Sequence, residues 1–145
     1  MPEPVDVQIA TEATPALVAA INRLVPQLSK SAAPMTIEEV SDIIDSSATD
    51  LLVASDGDDI LGLLTLVVFR IPTGVRGWIE DVVVDSDARG RGVGAALNEF
   101  AVELARKKGA RTVDLTSRPS RDAANRLYHR LGFKARDTNV YRFDL

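Results

Sequence analysis

Between Val84 and an apolar-periodic run opening at Val93, the sequence sets Arg89-Gly90-Arg91-Gly92-Val93-Gly94-Ala95 at a strand-to-helix junction. Glycines at such a junction let backbone N–H groups converge without Cβ atoms in the way, and the helix start adds about half a positive charge. Arg89 and Arg91 bring the full charges that a pyrophosphate needs, each charge-assisted hydrogen bond being worth about 1.5–3 kcal/mol. The stretch is a candidate anion site, and a phosphorylated small molecule is its candidate ligand.

Two other phosphate chemistries compete for this loop. Gly90-x-Gly92-x-x-Ala95 also fits the dinucleotide fingerprint, with Asp114 about 20 residues further on. A dinucleotide loop follows its strand directly, however, whereas Asp85-Ser86-Asp87-Ala88-Arg89 intervenes here, and Asp114 lies mid-strand between Val113 and Leu115. No Gly-Lys-Ser/Thr string exists, which excludes a Walker A loop. With no cysteine and one histidine, thiolate chemistry is excluded and no metal site is expected. Charge is uneven: residues 1–105 hold 6 Lys/Arg against 17 Asp/Glu, and residues 106–145 hold 11 against 4. The basic final third lacks a stacking motif and intersperses its cations with apolar positions, which argues against nucleic acid as the partner.

The elements that position this loop follow from periodicity. Residues 5–10 alternate as a strand. Thr14 and Pro15 open a helix to about Ser29, with Pro26 expected to perturb its end, and Thr36 with Glu39 forms a capping box for a second helix. The second helix carries Glu38, Glu39, Asp42 and Asp45 on its polar face. Residues 50–56 and 60–71 flank a Gly57-Asp58-Asp59 turn, and 75–84 continue the meander. A helix over about 93–108, a strand at 111–117 and a helix from Pro119 through about Arg130 come next, with Phe133–Arg136 and Asn139–Leu145 as a terminal strand pair. The expected fold is a single α/β (α+β) domain over 1–145, a mixed, mostly antiparallel sheet of about seven strands with helices on both faces. No apolar run reaches membrane-spanning length, and MPEPVDVQIATEA lacks a signal pattern, so a cytoplasmic protein without membrane attachment is expected.

Arg89-x-x-Gly92-x-Gly94 at a helix start, followed by Leu127-Tyr128 and Leu131-Gly132-Phe133, resembles the two motifs of the GNAT superfamily of N-acetyltransferases, in the same order and separation. The specific part covers about residues 78–133. The resemblance implies acetyl transfer from acetyl-CoA to a primary amine of a small molecule or protein, by direct attack in a ternary complex. It implies that residues 89–95 hold the CoA pyrophosphate and that Val82, Val83 and Val84 lend backbone groups to the pantetheine arm and thioester. It also implies that Tyr128 protonates the departing thiolate, which a phenol of pKa about 10 suits. Family members often carry Asn seven residues before this tyrosine; here that place is Arg121, leaving Asn125 or Arg121 as the CoA contact.

The amine must lose a proton, and Glu80 is the candidate base, expected on the same side of its strand as Val82 and Val84, with Asp81 opposite. His129 is expected to face solvent. Trp78, Tyr141 and the acidic helix face are candidates to shape the acceptor site. Relatives in this superfamily are often dimers, so a homodimer is part of the expectation. The alternative readings are a non-catalytic acyl-CoA-binding or sensing module and a dinucleotide-dependent oxidoreductase, the second disfavoured by the gap before Gly90.

Overall fold

The computed structural model describes residues 4–145, which form one five-stranded sheet in the order β1-β2-β3-β4-β5 with four helices. β1 (Asp6–Ile9), β2 (Thr49–Asp56), β3 (Asp59–Ile71) and β4 (Gly74–Val84) are antiparallel neighbours; β5 (Thr112–Asp114) joins β4 in parallel. α1 (Pro15–Leu28) and α2 (Ile37–Asp45) cover one face, where Leu17, Ile21, Leu24 and Val40 pack on Leu51, Leu63 and Val83. α3 (Val93–Lys107) covers the other, setting Val93, Leu97, Ala101 and Ala105 against Leu52, Leu64, Leu66 and Ile79. α4 (Asp122–Leu131) lies beside α3.

The helix starts are those their local chemistry dictates. Thr14 accepts from the Leu17 N–H, with Pro15 at the first helical position. Thr36 and Glu39 satisfy each other's backbone N–H groups in a complete capping box. α1 runs on to Leu28 with Pro26 inside it, lacking the ladder bond that residue 26 would donate to the Asn22 carbonyl. Gly62 lets α3 sit close on β3: a Cβ there would lie 2.9 Å from both the Val83 carbonyl oxygen and Val93 Cγ1.

Three expected features differ. β5 is three residues rather than the seven of 111–117, and α4 opens at Asp122 rather than at Pro119, since residues 119–121 make a turn closed by Arg121 N–H to the Arg118 carbonyl. The terminal strand pair does not form, which makes the sheet five strands rather than about seven. Residues 133–145 carry the alternation of a strand, yet Val140, Tyr141, Phe143 and Leu145 are all exposed, Phe143 to 89%. Alternation specifies only a fit to a half-buried pleated surface, and the short β5 edge offers no such surface to this segment.

Candidate active site

β4 and β5 pair only at Arg76–Trp78 with Thr112–Asp114; from Ile79 to Val84, β4 has no partner on that side. The Ile79–Val84 stretch of β4 is therefore unpaired along its β5 edge, up to the loop after Val84. A bulge in β4 shapes this edge. Thr65 faces Glu80 and Leu63 faces Val83, so Asp81 and Val82 together oppose Leu64. Asp81 occupies the left-handed region at φ 51°, the one non-glycine residue to do so among the described residues.

The bulge corrects the expected placement of Glu80. Ile79 packs in the α3-side core together with Val82 and Val84, so alternation sets Glu80 on the other side, with Trp78. The two are joined there, the Trp78 indole N–H donating to Glu80 Oε1 at 2.7 Å. Val83 lies on the α1–α2 side. Asp81, exposed at the bulge, has its carboxyl held above the ordinary aspartate range, first by partial desolvation and then by the Glu80 charge.

The loop has the conformation its glycines allow. Gly90 (φ 82°) and Gly92 (φ 77°) are both left-handed, and space for a Cβ at either is open. Gly92 is the N-cap of the 15-residue α3 and offers no side-chain cap, which leaves the N–H groups of Val93, Gly94 and Ala95 without helical partners. Val93 is buried, so its contribution there is backbone only. A Cβ on Gly94 would meet Leu127 at 3.1 Å and Val84 at 3.7 Å, so this glycine lets α4 close against the loop and the end of β4. Of the two expected arginines, Arg89 is exposed, while Arg91 turns back to Asp56 of β2, Nη2 to Oδ2 at 3.0 Å.

Tyr128 is buried, its ring edge-on to Phe133 with centroids 5.7 Å apart. Burial pushes the phenol above its usual value, opposed by the nearby Arg121 charge, so the hydroxyl keeps its proton through the neutral range. Asn125 uses its amide to donate to the Arg118 carbonyl at 2.9 Å, closing the turn before α4. Arg121 and His129 are exposed. Tyr141, 88% exposed in the C-terminal segment, is not part of any packed wall. Sequence reasoning missed Arg23, Gln27 and Asp85, which brace the start of the loop from α1; no local pattern marks contacts across some sixty residues.

The Acetyltransferase (GNAT) family matches this chain over residues 19–133, from within α1 through the whole of β4, the loop and α4. The chain belongs to the GNAT family. An uncharacterized N-acetyltransferase of Methanocaldococcus jannaschii is 42% identical over 59 residues, covering 41% of this chain and 26% of that protein. The glucosamine 6-phosphate N-acetyltransferase of Trypanosoma brucei brucei is 42% identical over 69 residues, 48% of this chain and 44% of that one. The match thus spans less than half the length of either relative. Among solved structures, an acetyltransferase of Trypanosoma brucei shares 28% identity at a TM-score of 0.79, covering 97% of this chain and 99% of that one. The family's acyl donor is acetyl-CoA. The α+β sheet with helices on both faces is the family's fold.

Proposed function

We propose that this GNAT protein transfers the acetyl group of acetyl-CoA to a primary amine by direct attack in a ternary complex. The observation that carries this reading is the continuity of three features: the unpaired edge of β4, the two left-handed glycines, and the uncapped start of α3. Acetyl-CoA supplies an acyl thioester, which is open to attack by a neutral amine.

The N–H groups of Val93, Gly94 and Ala95, with those of Gly90 and Gly92 and the exposed Arg89, hold the pyrophosphate. Arg91 ties the loop to the β2–β3 hairpin through Asp56 and keeps its guanidinium charge at the loop for phosphate. Backbone groups of Val82, Val83 and Val84 orient the pantetheine arm, and an N–H there donates to the thioester oxygen as charge develops, an effect worth about 3 kcal/mol in a dry site. Tyr128, protonated and one residue after the Leu127 that packs against Gly94, donates its proton to the departing sulfur. Asn125 keeps its carbonyl for a CoA contact while its amide closes the turn.

The amine's proton goes to the carboxylates at the bulge. Glu80 lies with Trp78 on the sheet face that α1 and α2 cover, where its carboxylate attracts a cationic amine. Of the pair, Asp81 is the one whose carboxyl is held above the ordinary aspartate range, by desolvation first and then by the Glu80 charge.

The experiment is a thiol-release assay with acetyl-CoA against a panel of sugar amines, amino acids, polyamines and peptide N-termini. Thiol release stoichiometric with an N-acetylated product is expected. Tight CoA binding without turnover on any amine would instead favour a sensing module.

A further inference from the structure

The turn between β4 and the glycine loop is held from outside by one face of α1. Asp85, the first residue after β4, is only 8% exposed and sits at the centre of this arrangement. Its backbone N–H donates to the Leu61 carbonyl of β3 at 2.8 Å, and its Oδ1 caps the 3-10 turn Ser86–Ala88 by accepting from the Asp87 N–H at 3.1 Å. Its Oδ2 accepts from Arg23 Nη1. The other arm of the guanidinium, Nη2, donates to the Ile60 carbonyl at 2.8 Å. One turn along α1, Gln27 Oε1 accepts from the Ser86 N–H at 2.9 Å. Ala88, at the far end of the turn, is buried in the α3-side core.

We infer that Arg23 is a positioning residue for the donor-binding loop, acting through Asp85 and assisted by Gln27. The inference rests on the acetyl-CoA reading above. Gly90 and Gly92 impose almost no conformation of their own, and glycine loses the most backbone entropy on ordering. A loop built on them is pre-organised only if its upstream end is fixed, and that end is Asp85–Ala88. A single guanidinium bridges the end of β3 and the first loop residue because its planar fork presents two donors to two acceptors at once; an ammonium restores the charge but not the fork. Without Arg23 the buried carboxylate loses its cation, the 3-10 turn loosens, and donor binding must then order the loop itself.

The test is a set of full-length variants, Arg23→Ala, Arg23→Lys and Gln27→Ala, each titrated with CoA by calorimetry and assayed for KM and kcat, with thermal unfolding alongside. Arg23→Ala is expected to weaken CoA binding and raise KM for acetyl-CoA by tenfold or more, with kcat at saturation and acceptor KM within about twofold of the parent. Arg23→Lys recovers part of the loss. Gln27→Ala, which leaves no buried charge unpaired, weakens CoA about threefold, and it decides the matter with Arg23→Lys if Arg23→Ala does not fold. A lowered Tm with CoA affinity unchanged in all three variants would overturn the inference and reduce Arg23 to a structural ion pair. Failure of the parent protein itself to bind CoA would instead remove the acetyl-CoA reading on which it stands.

Discussion

Of the chemistry proposed, the roles of Tyr128 and Asp81 are the most open to single-residue tests. Tyr128→Phe keeps the ring contact with Phe133 and removes only the hydroxyl, so kcat is expected to fall about 100-fold while the Kd for CoA stays within threefold, as steady-state kinetics and calorimetry would show. Asp81 makes a prediction of opposite sign for stability. Its folded-state pKa is raised, so below the unfolded value, near 3.9, its protonated form adds stability, and this is lost as pH rises through the folded value. Asp81→Asn relieves the desolvation and the Glu80 repulsion and suits a left-handed φ. At pH 7 its Tm is expected to exceed the parent's, the gap closing below about pH 4, while kcat/KM falls. A Tm below the parent's at pH 7 would mean that the charged carboxylate has a stabilising partner.

At the scale of elements, the glycines separate into packing and binding roles. Gly62→Ala forces a Cβ to within 2.9 Å of the Val83 carbonyl oxygen and of Val93, pushing α3 off β3; overpacking of this kind costs about 1–3 kcal/mol, readable as a Tm lowered by several degrees. Asp85 supplies the acid limb of stability. Its carboxyl is held below the usual range chiefly by the Asp87 N–H, with Arg23 and Gln27 adding to this against desolvation. The stabilisation is present above the unfolded pKa, near 3.9, and is lost as pH falls through the folded one, so the Tm difference between parent and Asp85→Asn should shrink below about pH 4. Three of the four helix starts were legible in sequence because their chemistry is local: Thr14 with Pro15, Thr36 with Glu39, the glycines before α3; Pro119 misled because it opens a turn instead. The bulge was not legible, since Asp81 and Val82 crowd opposite Leu64 through pairing with β3, and that slip moved Glu80 to the opposite face from the one alternation assigned.

At the scale of the molecule, the loop conformation was legible because left-handed turns call for glycines in sequence order, whereas Tyr128 was singled out by the resemblance of Leu127-Tyr128 to the family's second motif. The brace from α1 joins residues 62 apart in sequence and left no such trace. Residues 137–145 show the converse, an alternation that reads as a strand but buries none of its apolar side chains. Deleting residues 137–145 is therefore expected to change unfolding free energy by less than about 0.5 kcal/mol in a urea titration. A loss of several kcal/mol would show that the segment pairs with the sheet as its alternation suggests.

If the loop from Arg89 to Ala95 holds the phosphates of an acyl-CoA, calorimetric titration of the parent and of Gly92→Trp with acetyl-CoA and with NADH will show it. Acetyl-CoA is expected to bind the parent and not Gly92→Trp, and NADH to bind neither. Equal acetyl-CoA affinity in parent and variant, or a preference for NADH, would contradict that role of the loop.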